Sequence, residues 1–163
     1  MARSTLPTFP LVVFGIIEPV LLVWAYIVGM RDPLAYFANQ VPGSGDPSAR
    51  AAAFSPEAVG VTLQLLNVLL LLAPLAVVCS FSRDPATVKG YLAAVALADY
   101  GHIYATYRSV GDDVFFNPSQ WNDMVGANVG VSAVLNVLRL LTLFGAFGPV
   151  VARDAGERKR KDN

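Results

Sequence analysis

Four long apolar stretches alternate with shorter polar segments along the chain. They run from about Phe9 to Met30, from Pro56 to Phe81, from Val88 to Arg108 and from Met124 to Val150. Each reaches the roughly 20 residues that an α-helix needs to cross a hydrocarbon core about 30 Å thick. The pattern predicts an all-α polytopic membrane protein, with four transmembrane helices in one bundle that occupies residues 1–150.

The connections between these stretches differ in character. Proline, glycine and serine dominate the first one, from Arg31 to Pro56, so we expect an extramembrane loop with little order of its own. The second, from Ser82 to Lys89, is short and basic. The third carries Trp121 and several other aromatic residues, which are typical of a membrane interface.

Composition supports the membrane class. Hydrophobic residues make up 55% of the 163 positions and charged residues 15%, whereas soluble domains carry about 25% charged residues. The formal net charge is zero, so nothing indicates binding to nucleic acid. One cysteine and one histidine do not make a metal site of ordinary ligand count. We therefore expect no metal, no cofactor and no nucleic-acid partner, and we expect the lipid bilayer as a partner.

The distribution of basic residues predicts the orientation. With four spans, the N-terminus, the second connection and the tail at residues 151–163 share one side. That side holds Arg3, Arg83, Lys89, Arg153, Arg158, Lys159, Arg160 and Lys161, against Arg31, Arg50 and Arg108 on the other. The positive-inside rule then places both termini and the basic tail in the cytosol. The final KRKDN also fits a K-x-K-x-x retrieval signal, which indicates the endoplasmic reticulum.

Several polar residues fall at similar depths within the predicted spans. Glu18 lies roughly ten residues into the first span and Asp99 roughly eleven into the third, and both spans run from cytosol to lumen, at about 1.5 Å per residue. Asn67, His102 and Asn136 come within a turn or two of that level. Ionisable groups in lipid cost about 2.5–3.5 kcal/mol each on insertion scales, so these residues should face the bundle interior and find partners.

Two interpretations of this polar layer compete. In the structural one, Glu18 and Arg139 form a buried ion pair, while Asp99 and His102 satisfy each other. In the functional one, the layer lines a cavity for an amphipathic molecule. A carboxylic acid in dry surroundings can stay protonated and donate its proton, and a neighbouring histidine can orient the acid or shuttle the proton.

The functional interpretation assigns roles to nine residues. The candidate catalytic residues are Glu18, Asp99 and His102. The candidate substrate-binding residues are Asn67, Asn128, Asn136 and Arg139, which would position a polar head, and Trp121 and Asn122, which would close the luminal mouth. Asn128, Asn136 and Arg139 belong to one polar stripe along the fourth span.

Four segments resemble a family of small fungal integral membrane proteins. They are IIEP at 16–19, ALADYGHIYATY at 96–107, WND at 121–123 and NVGVSAVLNVLRLLTLFG at 128–145. That family is similar to the membrane-bound terpene cyclases of fungal meroterpenoid pathways, of the ascofuranone and macrophorin cyclase type. The resemblance implies cofactor-independent, proton-initiated cyclisation of a hydrophobic prenylated substrate, a farnesyl phenol or its epoxide. Glu18 and Asp99 would be the acids.

Two alternatives stay open beside this reading. Four spans with intramembrane acids and a tryptophan also resemble the sterol isomerase class, by architecture alone, which implies a sterol-isomerase-like enzyme. The structural interpretation of the polar layer instead implies a non-catalytic membrane protein that binds a lipid or sterol or takes part in an assembly.

Overall fold

The computed structural model describes residues 4–43 and 46–151, and this part of the chain forms helices without a β-strand. The all-α expectation is therefore confirmed. The predicted basic tail and its retrieval signal lie outside the described residues. In chain order the helices are α1 (Thr8–Arg31), α2 (Pro33–Ala38), α3 (Pro47–Ala53), α4 (Pro56–Ser80), α5 (Pro85–Val110), α6 (Asp112–Phe115) and α7 (Asp123–Leu143), with a 3₁₀ turn at Pro118–Gln120.

Three of these helices, α1, α4 and α7, are long and apolar enough to cross a membrane. Large aliphatic residues such as Val20, Leu71 and Val78 are exposed on their outer faces, which suits contact with lipid. These helices indicate a membrane protein. Helix α5 is the longest, with 26 residues, but its sequence is more polar than those of the other three.

Side chains just before the helices fix where they begin. Ser55 Oγ accepts a hydrogen bond from the Ala58 N–H (3.3 Å) at the start of α4. Asp84 accepts from the Thr87 N–H (3.0 Å) and the Thr87 hydroxyl (2.7 Å) at the start of α5. The Thr87 hydroxyl and the backbone N–H groups hold the pKa of the Asp84 carboxyl below its usual value. A proline follows each of these caps, at a position where its missing N–H costs nothing.

The first connection is more ordered than its composition predicts. It contains α2 and α3, and each is capped by an aspartate that precedes a proline, Asp32 and Asp46. The rings of Phe37 and Phe54 lie 5.1 Å apart and join the two ends of this segment. The expectation of a loop with little order is therefore wrong for α2 and α3.

Helix α7 ends earlier than predicted. Gly145 has φ +81°, and the Ala146 N–H donates to the Leu141 carbonyl (2.9 Å) while the Gly145 N–H donates to the Thr142 carbonyl (3.1 Å). This is a Schellman arrangement, in which a left-handed glycine satisfies the last carbonyls of a helix. The predicted end at Val150 therefore lies seven residues beyond the observed one at Leu143.

The long helices associate as two pairs, α1 with α4 and α5 with α7. Gly29 and Gly15 allow the close approach of α1 to α4. A Cβ at Gly29 would overlap the Leu66 side chain, and a Cβ at Gly15 would lie 2.9 Å from Phe81 Cε2. Small residues at a helix contact bring the backbones close enough for dense van der Waals packing, which is the main force between helices in lipid.

The buried core joins the two pairs at the end of the bundle that holds the N-terminal segment. Ser4 Oγ donates a hydrogen bond to the Ser80 carbonyl (2.6 Å), which fixes this segment against the end of α4. The core cluster at this end consists of Leu6, Val13, Phe14, Ala76, Val88, Tyr91, Leu92 and Val150.

A π-helical turn at Val13–Ile17 interrupts α1 directly before Glu18. Pro19 accounts for it, because in a regular α-helix the proline ring would clash with the carbonyl four residues earlier, at Gly15. A second π-turn, Gly126–Val131, contains Asn128 and precedes Asn136 and Arg139 of α7. Such turns are frequent at functional sites, and the first one directly precedes Glu18.

Candidate functional site

Arg139 on α7 connects three helices inside the bundle. Its side chain is 1% exposed. Nη1 donates a hydrogen bond to Asp99 Oδ2 on α5 (2.6 Å), and Nη2 donates to Glu18 Oε1 on α1. We call these three residues the carboxylate–arginine cluster. Because α1 belongs to one helix pair and α5 with α7 to the other, the cluster is an ionic link between the pairs.

Asn136 supports Asp99 from α7. Its Nδ2 donates to the Ala96 carbonyl on α5 (2.7 Å) and lies 3.5 Å from Asp99 Oδ2. Asn136 precedes Arg139 by three positions, so both side chains leave α7 on the same face. The predicted polar stripe of the fourth span therefore faces α5 at this level.

Phe14 covers the guanidinium group from the π-turn of α1. The Arg139 Cζ atom lies 5.2 Å from the centre of the Phe14 ring, and Phe14 is fully buried. An aromatic face attracts a cation at this distance. The ring also shields the cluster from the surroundings, which strengthens each ionic contact within it.

The cluster has one more carboxyl group than it has cations. If Glu18 and Asp99 are both ionised, its net charge is −1, and one bound proton makes it neutral. Glu18 Oε2 and Arg139 Nε are enclosed and have no hydrogen-bond partner within the described structure. The Glu18 side chain is 8% exposed and that of Asp99 13%. Burial of such incompletely paired groups is costly and is typical of functional sites.

The arrangement corrects one predicted pair. Asp99 bonds to Arg139 and Asn136, and no hydrogen bond in the described part of the chain joins it to the His102 imidazole. His102 is exposed, and its backbone carbonyl accepts from Thr106 Oγ1 (3.2 Å). His102 lies three positions after Asp99, on the same side of α5, and interacts with the Asp99 carboxyl through its electrostatic field rather than through a hydrogen bond.

Asn67 also lies outside the cluster. It is exposed on α4, next to the fully buried Leu66 that packs against α1. Adjacent helical residues diverge by about 100°. Because Leu66 occupies the inward direction, Asn67 faces away from the bundle, and the predicted contribution of Asn67 to an interior polar layer is wrong.

The comparison with known families covers nearly all of the described chain. The sequence model of a family described as a domain of unknown function, DUF7704, matches residues 3–149. The chain belongs to the DUF7704 family. The DUF7704 match includes all four long helices and every member of the cluster. No curated protein and no solved structure matches the chain. The DUF7704 description assigns no activity, so the chemistry of the site rests on its residues.

Two other predicted site residues of this DUF7704 chain, Asn122 and Asn128, bond to the residues that follow α2, away from the cluster. Asn122 Nδ2 donates to the Asn39 carbonyl (2.9 Å), and Asn128 Nδ2 donates to Gln40 Oε1 (3.0 Å). These two bonds fasten the end of α2 to the start of α7. Trp121 Nε1 instead donates to the Val114 carbonyl of α6 (3.0 Å), so it holds the segment between α6 and α7.

Within the described residues, no group of three or more histidine, cysteine, aspartate or glutamate side chains is arranged to hold a metal ion.

The sequence analysis does not predict Phe14 as the partner of Arg139, nor Asn39 and Gln40 as hydrogen-bond partners of Asn122 and Asn128. The position of Phe14, four residues before Glu18, is a signal that Phe14 lies beside the cluster, since residues i and i+4 share a helix face.

Proposed function

We propose that the chain is a cofactor-independent membrane enzyme that begins the cyclisation of a prenylated substrate by donating a proton from the carboxylate–arginine cluster. The observation that carries this proposal is the charge count of the cluster. Two carboxyls face one guanidinium in surroundings of low dielectric, where an uncompensated charge is costly. One proton held between Glu18 and Asp99 removes that charge and supplies the acid.

The reaction balances without a cofactor. The proton adds to a terminal olefin, or to an epoxide oxygen with cleavage of a C–O bond, and leaves a carbocation. The next double bond attacks the cation and closes a ring. Loss of a proton from the cyclised cation returns the cluster to its starting state, so the product is an isomer of the substrate.

The structure supports different roles for the two acids. Asp99 is the more exposed of them and is the proposed donor. Glu18 is enclosed and shares the proton as a second acid, while Arg139 stabilises the carboxylate that remains after transfer. Asn136 holds Asp99 in position. His102 has no bond to the acid in the described structure, so the proposed proton transfer does not use it.

The proposal includes four membrane spans. Helix α5 has the length of a span and packs along α7, and its one acidic residue between Lys89 and Arg108 is compensated by Arg139. With α5 as the fourth span, both termini lie on one side, which the positive-inside rule makes cytosolic. The proposal includes location in the endoplasmic reticulum.

A non-catalytic role is the second candidate. Arg139 joins α1, α5 and α7, so the cluster could serve only to hold the bundle together in a protein that binds a lipid or sterol or belongs to an assembly. A sterol-isomerase-like enzyme would use the same acid on a different olefin. Turnover separates the catalytic candidates from the structural one.

The test is incubation of microsomes that contain the full-length protein with a farnesylated phenol and with its epoxide. We expect a cyclised isomer, and we expect the Glu18→Gln, Asp99→Asn double variant to abolish its formation. Gln64→Leu, on the exposed face of α4, is the matched control and should retain activity. Turnover that survives the double variant refutes the proposal. Absence of turnover with a range of prenylated and sterol substrates favours the structural role.

A further inference from the structure

Two amide side chains are exposed on a helix that is long and apolar enough to cross a membrane. Gln64 and Asn67 lie three positions apart on α4, so they share one side of the helix. Neither makes a hydrogen bond within the described residues. We call the side that carries the two amides, Leu71 and Val78 the outer face of α4. The opposite side is the buried one, formed by Thr62, Leu66, Ala73, Ala76 and Ser80.

The bilayer cannot satisfy these amides. Asn67 lies near the middle of α4, eleven residues after Pro56 and thirteen before Ser80. At about 1.5 Å per residue, it is about 17 Å from one end of the helix and about 20 Å from the other. A side chain this short does not reach the headgroups from there. The hydrocarbon core holds no water to replace the missing hydrogen bonds, so an amide without a partner at this depth is costly.

The other two helices of this length and hydropathy carry no such groups. Between their first and last turns, the exposed positions of α1 and α7 are all apolar. The exposed amides are therefore specific to α4 and not a general property of the outer surface. In membranes, asparagine and glutamine side chains form hydrogen bonds between neighbouring helices. The outer face of α4 therefore fits another helix better than it fits lipid.

The outer face of α4 is complementary to itself. An amide carries both donors and an acceptor, so Asn67 can donate to and accept from a second Asn67. Two copies inserted in the same orientation are related by a two-fold axis along the membrane normal, which brings identical residues together. Gln64, Asn67, Leu71 and Val78 are spaced by three, four and seven residues, as at the contact of two helices that cross at a small left-handed angle. Leu71 and Val78, 63% and 69% exposed, supply the apolar part of this contact.

We propose that the chain forms a homodimer through the outer face of α4, in which Asn67 and Gln64 form hydrogen bonds with their counterparts across the two-fold axis. This inference goes beyond the proposed function, because it concerns a surface outside the helix bundle. The outer face of α4 points away from the bundle interior that holds the carboxylate–arginine cluster, so loss of the dimer should leave the proposed turnover unchanged. The two proposals can therefore fail separately.

The test is disulfide cross-linking of the full-length protein in microsomes, with the single native cysteine, Cys79, replaced by alanine. Leu71→Cys and, in a separate variant, Val78→Cys place a thiol on the proposed contact. Val20→Cys places one on the outer side of α1, where the exposed fraction of 62% is similar. With a mild oxidant, we expect a covalent species of twice the mass of the chain from the two α4 variants, and at least fivefold less of it from Val20→Cys.

Removing the amides tests what holds the dimer together. Gln64→Leu and Asn67→Leu, added to Leu71→Cys, should lower the cross-linked fraction at least tenfold. Both leucines replace exposed polar groups, so the unfolding midpoint of the chain should not fall. Gln120→Leu, which removes an exposed amide outside the long helices, is the matched control and should cross-link like its parent. The inference is overturned if neither α4 variant gives the dimer, if the adducts have another mass, or if the dimer survives the loss of both amides.

Discussion

Replacing Arg139 by methionine tests the carboxylate–arginine cluster through stability. The substitution keeps much of the side-chain volume and leaves Glu18 and Asp99 enclosed without a cation. Arg139 is 1% exposed and bonds to both carboxyls, so the change removes the shared partner of two buried acids. Removing one partner of a buried ion pair lowers the free energy of unfolding by about 3–5 kcal/mol.

The charge count predicts an asymmetry between the members of the cluster. Glu18→Gln or Asp99→Asn alone leaves one carboxylate with one guanidinium, so each should change the free energy of unfolding by only about 1 kcal/mol. Combining both with Arg139→Met removes every charge and should recover most of the stability that Arg139→Met loses. Replacing all members of a buried ionic triad with apolar residues often leaves the stability unchanged or raises it.

The assay is thermal unfolding of the full-length protein in detergent. For a chain of this size, 1 kcal/mol shifts the midpoint by about 2–4 °C, so we expect Arg139→Met to lower it by roughly 6–20 °C. Arg108→Met, at an exposed arginine near the end of α5, is the matched control and should shift it by no more than about 2 °C. The reasoning is refuted if both arginine variants lose the same stability, or if the triple variant is as unstable as Arg139→Met.

Three further predictions concern the scaffold. Gly29→Ala should lower the unfolding midpoint because a methyl group there overlaps a leucine of α4, whereas Gly60→Ala, with open space around it, should not; thermal unfolding compares the two. Asn128→Leu removes the amide that holds the end of α2, so amide hydrogen exchange should become faster in residues 33–40 and stay unchanged in α4. Asp84→Ala should destabilise the protein at neutral pH. Because the folded-state pKa of Asp84 is lowered, its carboxylate stabilises the fold above about pH 3.9, the usual value of an aspartate in a peptide. The difference from the wild type should vanish as the pH falls through the folded-state pKa.

The sequence predicts the long helices of this chain well because hydropathy and helix caps are local signals. The start of α4 at Pro56 follows from a proline after a serine cap, whereas the left-handed Gly145 ends α7 before the Val150 that hydropathy predicts. An aspartate followed by a proline also precedes α2 and α3, but the proline and glycine content of that segment predicts a loop.

The sequence predicts the cluster in part. Depth along the helices correctly places Glu18 and Asp99 at one level, and the pairing of Glu18 with Arg139 is present. The rotation of each helix about its axis depends on packing between helices, which no local pattern encodes. The partner of Asp99 is therefore Arg139 and not His102, and the outward direction of Asn67 follows from the burial of its neighbour.

The most direct test of the central claim is the infrared spectrum of the purified protein at neutral pH, since the carbonyl stretch of a protonated carboxylic acid is separate from the carboxylate bands. We predict one enclosed protonated carboxyl in the wild type. Glu18→Gln and Asp99→Asn should each abolish its band, because either change leaves one carboxylate paired with Arg139 and no charge for a proton to cancel. A wild-type spectrum without this band, or a band that persists unchanged in both variants, contradicts a proton held by the cluster.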